Sequence, residues 1–111
     1  MSKASASVGA LLAALSCASM ADAQTVADLK GMYAFNWLKN PGRQTCVVVD
    51  GKLLADLRSP QYRCDLAPKT NTSAGHRVRT CTRVGGRVEY LIFDTRKQCE
   101  EERKTQASNG P

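Results

Sequence analysis

The hydrophobic positions fall into blocks with different periods, and each block predicts a different element. An unbroken apolar run covers residues 8–15, after the single charge Lys3, and is followed by small residues ending in Ala21-Asp22-Ala23. Further on, Val26, Leu29, Tyr33 and Trp37 recur at spacings of three and four behind Thr25, with Asp28 near the start and Asn40-Pro41-Gly42 as a stop. That spacing predicts an N-terminal helix. Gly31 and residues 32–38 also admit a strand, and the helix is the favoured reading.

Two blocks then predict hairpins, each a pair of β-branched and aliphatic runs around a dipeptide suited to positive φ. The first pairs residues 45–49 with 52–57 around Asp50-Gly51, and the second pairs 76–84 with 87–93 around Gly85-Gly86. In the second, a tight turn sets Val84 against Arg87, Cys81 against Tyr90, Thr80 against Leu91 and Val78 against Phe93. Side chains alternate along a strand, so Val78, Thr80, Leu91 and Phe93 share one face. Arg77, Arg79, Cys81, Arg83, Val88, Tyr90 and Ile92 share the other. Neither face is cleanly apolar, which predicts a sheet covered in part on both sides.

The hairpins echo one another. Cys46-Val-Val-Val-Asp-Gly-Lys-Leu aligns with Cys81-Thr-Arg-Val-Gly-Gly-Arg-Val, and the two segments close on Cys64 and Cys99. Residues 65–75, rich in Pro, Thr, Asn, Ser and Gly, predict a surface loop between them. The last element is a C-terminal helix. Thr95 and Gln98 form a capping-box pattern, Glu100 to Glu102 lie early, where the helix dipole favours negative charge, and Asn109-Gly110-Pro111 stops it. Its apolar stripe is nearly absent, so a disulfide at Cys99 is expected to hold it. Together these elements predict an α+β fold: a small disulfide-stabilised domain with two β-hairpins in an antiparallel sheet, an N-terminal helix and a C-terminal helix.

Length and cysteine usage sharpen the picture. The charged start, apolar stretch and small-x-small ending make residues 1–23 a secretory signal peptide by pattern, the apolar run being far below the roughly 20 residues of a membrane span. A lipoprotein reading at Cys17 is disfavoured because Leu15 sits one place too late. Cleavage leaves 88 of the 111 residues as a single domain, 24–111, and the net charge of +6 is unchanged. It also turns five cysteines into four: Cys46, Cys64, Cys81 and Cys99, separated by 18, 17 and 18 positions. Structural zinc sites bring ligands in pairs roughly two to four residues apart, and no such pair exists, so no metal and no cofactor are expected. Two disulfides in an exported domain are the simpler reading. Chain reach favours Cys46–Cys64 with Cys81–Cys99 over nested or crossed pairings. The Ala-rich leader suggests a bacterium, with the product periplasmic or secreted.

Candidate chemistry is sparse. His76 is the sole histidine and has no partner in the sequence, while Asp50, Asp56, Asp65, Glu89 and Asp94 fall at turns, strand surfaces or a helix start. Catalysis needs a positioned base, nucleophile or metal, so the expectation is a protein that is not an enzyme. Charge is the better guide. Arg77, Arg79 and Arg83 share one face by period two, with Arg87 past the turn and Tyr90 across. Such a strip suits an anionic envelope polymer or an acidic protein, and nucleic acid is disfavoured in an exported compartment. The expected function is a small binding module with a basic sheet face. Two alternatives are an exported inhibitor of a hydrolase such as lysozyme, acting through a hairpin tip, and a small enzyme with a cryptic site.

Overall fold

In a computed structural model, the structure describes residues 25–109. The segment read as a leader, with Cys17, lies outside the described residues. The chain opens with a 3-10 turn, Val26–Leu29, in which the Thr25 amide donates to Asp28 Oδ2 (2.9 Å). Strand β1, Tyr33–Asn36, follows and then β2, Val47–Val48; helix α1, Gly51–Leu57; β3, Tyr62–Lys69; β4, Val78–Arg83; β5, Glu89–Phe93; and helix α2, Arg96–Asn109. The five strands form one sheet in the order β2-β1-β5-β4-β3, every pair antiparallel. The α+β expectation and the two disulfides are both present.

The second hairpin has the expected register, Thr80 opposite Leu91 and Cys81 opposite Tyr90. Its faces separate as the alternation requires. Val78, Leu91 and Phe93 join Phe35, Cys46 and Cys99 in a core beneath α2. Cys81 and Ile92 join Leu29, Ala34, Val49, Leu54 and Leu57 in a second core beneath α1. The sheet is thus the middle of three layers, apolar on both sides, which is why neither face of the hairpin reads as the single core face.

Four expectations are corrected. The N-terminal helix is only one turn long. Gly31 takes φ 87°, its amide donates to Val49 O (2.9 Å) and the Val49 amide donates to Met32 O (2.8 Å), so the chain leaves the helical path and enters the sheet as β1. The first hairpin is a strand and a helix. Asp50 acts as N-cap, Oδ1 accepting the Leu53 amide (2.8 Å), and Leu54 and Leu57 point into the core. Residues 52–57 are good helix formers with apolar positions three and four apart, and those properties outweigh the turn preference of Asp-Gly. The echo between the halves is therefore one of sequence, not of structure. The predicted loop is shorter: β3 continues to Lys69 through an irregular register between Asp65 and Lys69, on the sheet edge where Pro68 costs no ladder bond.

The disulfides are Cys46–Cys99 and Cys64–Cys81, not the pairing that chain reach favoured. Cys64 and Cys81 stand directly opposite on β3 and β4. Cys81 faces α1, whereas α2 covers the opposite side, so Cys99 cannot meet it. Cys99 instead reaches Cys46 at the end of the core that holds Phe35 and Phe93, whose rings stack 6.3 Å apart. Paired cysteines of this kind belong to an oxidising compartment, and no helix among the described residues is long and apolar enough to cross a membrane.

Candidate anion-binding cleft

The predicted arginine strip is not assembled. Arg79 is only 7% exposed and its Nη1 lies 3.3 Å from Asp94 Oδ1, so this guanidinium near the start of β4 is taken up by an internal ion pair. Arg77 precedes β4, six positions or roughly 20 Å of strand from Arg83. Arg83, Arg87 and Tyr90 lie at the other end of the hairpin, and of the three Arg87 and Tyr90 line one opening. There the Arg83 amide donates to Val88 O (2.9 Å), and Gly85 takes φ 71° in the turn.

That end of the sheet is open because β2 is too short. It pairs with Tyr33 and Ala34 only, leaving the outer edge of Asn36 without a strand. The Gln44 side chain stands in for one: Oε1 accepts the Asn36 amide (3.2 Å) and Nε2 donates to Asn36 O (2.6 Å). Gln44 is delivered by the 3-10 turn Pro41–Arg43, in which Asn40 Oδ1 accepts the Gly42 amide. Arg103 of α2 donates to Pro41 O (2.9 Å) and so ties the turn to the helix. A side-chain amide fills less space than a strand, and a cleft of about 500 Å³ results, lined among others by Asn36, Lys39, Gln44, Thr45, Arg87 and Tyr90.

Lys39 and Arg87 are the charged groups of this lining, and no carboxylate lines it. Tyr90 lies between the cleft and Tyr62, the two rings 6.4 Å apart. Burial pushes its phenol up, with Tyr62 and Asp56 adding to the effect, so it stays protonated and able to donate at neutral pH. An ammonium, a guanidinium, a phenol and the Thr45 hydroxyl make a donor set suited to an oxyanion. Leu38 (47% exposed) and Val84 (53%) are exposed apolar side chains at the same end of the sheet, outside the lining of the cleft.

Elsewhere the carboxylates hold the fold. Asp50 caps α1, and Glu100 accepts the Cys46 amide (3.0 Å) and pairs with Arg103 (2.8 Å). Burial raises the Glu100 pKa, yet these two contacts and Lys104 outweigh it and hold the group below the ordinary value. The solvated pair Asp65–Lys69 (3.0 Å) lowers Asp65. His76 Nε2 meets Glu101 Oε1 at 2.6 Å.

Of the residues expected from the sequence, Arg87 and Tyr90 line the cleft and Arg83 does not, while Lys39, Gln44 and Thr45 were missed. The signal for those three is only the Asn40-Pro41-Gly42 turn, since their approach to Arg87 depends on β1 pairing with β5 far along the chain. Compared with family models, curated proteins and solved structures, the chain matches none of them.

Proposed function

We propose that this protein is an exported, non-enzymatic binding module whose cleft takes an anionic group of an envelope polymer. The single observation behind this is the cleft itself: two cations, a protonated phenol and no carboxylate around one opening, in a frame held by two disulfides. A fixed frame lowers the entropy lost on binding, and clustered positive charge speeds the encounter with a polyanion. The periplasm or the medium of a bacterium is the compartment that fits the leader pattern and the even cysteine count once it is removed. Amino-terminal sequencing of the exported product should then begin at Gln24.

The test is retention on immobilised heparin. Wild-type protein should elute at moderate salt, and Lys39→Glu with Arg87→Glu should elute near the void, while Lys69→Glu with Arg77→Glu, the same change of charge at the far end of β4, should shift elution far less. Equal shifts for the two sets would leave only net charge at work and defeat the proposal. A second reading, a hydrolase inhibitor, is favoured by one feature, the exposed Val84 on the β4–β5 turn. Dose-dependent slowing of a muramidase that is lost in Val84→Asp would support it. The Asp50-Gly51 segment drops out of that reading because it starts a helix.

A further inference from the structure

The opposite face of the sheet carries a second opening with contrary chemistry. A groove of about 320 Å³ has Val78, Thr80 and Leu91 as its floor, Glu102 and Gln106 of α2 on one side, and Trp37 with Glu89 at its end. The loop residues Asn71, Thr72 and Ser73 complete it. No Lys, Arg or His lines it, although the chain carries a net charge of +6. The geometry points to a binding site for a neutral pyranose sugar, distinct from the anion-binding cleft.

The walls are held in place before any ligand arrives. Trp37 Nε1 donates to Glu89 Oε1 (2.6 Å) and the Trp37 amide donates to Glu89 O (3.2 Å), so the indole is tied at its edge and along its backbone. The other Glu89 oxygen accepts from Thr82 Oγ1. Glu102 is fully buried and accepts from the amides of Ser73 (3.2 Å) and Ala74 (2.8 Å) and from Gln106 Nε2 (2.8 Å). A buried carboxylate is costly unless satisfied in this way. Here it clamps the 71–74 loop to α2 and fixes the groove's far wall.

The chemistry of the lining selects the ligand. An anion would face two carboxylates with no counter-charge, so anions are rejected. A purely apolar ligand would leave the Asn71 side-chain amide and the Thr80 hydroxyl without water or partner. A pyranose answers both features. Its C–H face suits an indole beside an aliphatic floor, and its hydroxyls donate to carboxylate and amide oxygens and accept from hydroxyls and amide nitrogens. The volume lies at the small end of ligand clefts, which limits the occupant to one or two rings.

The chain has one tryptophan, and it stands in this groove, so its fluorescence reads occupancy directly. Purified oxidised protein is titrated with glucose, mannose, galactose, N-acetylglucosamine and their disaccharides, with putrescine as a cationic probe. Saturable emission shifts with at least one neutral sugar, unchanged by added salt, are expected. Thr80→Val, with an unaltered melting temperature, should weaken that affinity by up to about tenfold, the loss of one hydrogen bond. Trp37→Ala, followed by calorimetry, should weaken it further. No saturable sugar response from folded protein, or a response to putrescine alone that salt removes, would overturn the assignment. The heparin experiment is independent, because it reads the other face of the sheet.

Discussion

Removing each disulfide in turn tests the nested connectivity by its energetics. Cys46–Cys99 closes 53 residues and Cys64–Cys81 closes 17. In the chain-entropy account, losing the first costs about 4 kcal/mol and losing the second about 3 kcal/mol, a difference of about 1 kcal/mol from loop length alone. Native contacts should widen the gap. Cys46–Cys99 ties α2 to the core of Phe35 and Phe93, and the helix contributes only Cys99 and Glu102 as fully buried side chains. Cys64–Cys81 joins strands already paired along β3 and β4. A domain of this size has a total stability of roughly 5–10 kcal/mol, so Cys46→Ala with Cys99→Ala should leave a marginally folded protein. Cys64→Ala with Cys81→Ala should stay folded with a lower midpoint. Urea unfolding of both double variants beside the wild type gives the two losses. A cost for Cys64–Cys81 equal to or above that for Cys46–Cys99 would refute the reasoning, as would peptide mapping that recovered Cys46–Cys64.

Three further substitutions test other joints of the structure. Asp50→Ala should cost about 1 kcal/mol through loss of the α1 cap, with less helical signal in circular dichroism, whereas a hairpin turn there would leave the helical signal unchanged. Glu102→Ala removes the acceptor for two loop amides and Gln106 and should cost about 3 kcal/mol, together with faster proteolysis within residues 71–75. Glu100, whose pKa is lowered on folding, contributes stability above its ordinary value of 4.5 that is lost as pH falls through the folded value. Glu100→Gln should therefore flatten the decline of the urea midpoint between about pH 5 and pH 3, and an unchanged slope would remove Glu100 from the acid response.

The parts of the fold that were legible in the sequence were the local ones. Gly85-Gly86 between β-forming runs set a register that holds at Thr80–Leu91 and Cys81–Tyr90. Thr95 caps α2, its Oγ1 accepting the Gln98 amide (3.2 Å). Only half of the capping box is present, for Gln98 Oε1 has no hydrogen-bond partner among the described residues. The misreadings come from competition between scales. Val26, Leu29 and Tyr33 have helical spacing, but Gly31 allows a backbone turn and pairing with Val49 rewards a strand. Asp50-Gly51 is good turn chemistry and also a good N-cap, and three leucines behind it decide in favour of the helix. The disulfide pairing needed the face on which each cysteine sits as well as the distance along the chain. The candidate site was half visible for the same reason. Arg87 and Tyr90 lie on one hairpin, but Lys39 and Gln44 reach them only through the β1–β5 pairing, and nothing local marks Arg79 as the member of the strip that turns inward to Asp94.

Amide chemical-shift mapping shows residue by residue whether anions bind in the cleft that β2 leaves open. Uniformly labelled, oxidised protein is titrated with a short heparin oligosaccharide at low and high salt. Saturable shifts centred on Lys39, Gln44, Thr45, Arg87 and Tyr90 that weaken as salt rises are expected. Shifts centred on Arg77 and the β3 edge, or spread evenly over every basic residue, would contradict binding in that cleft.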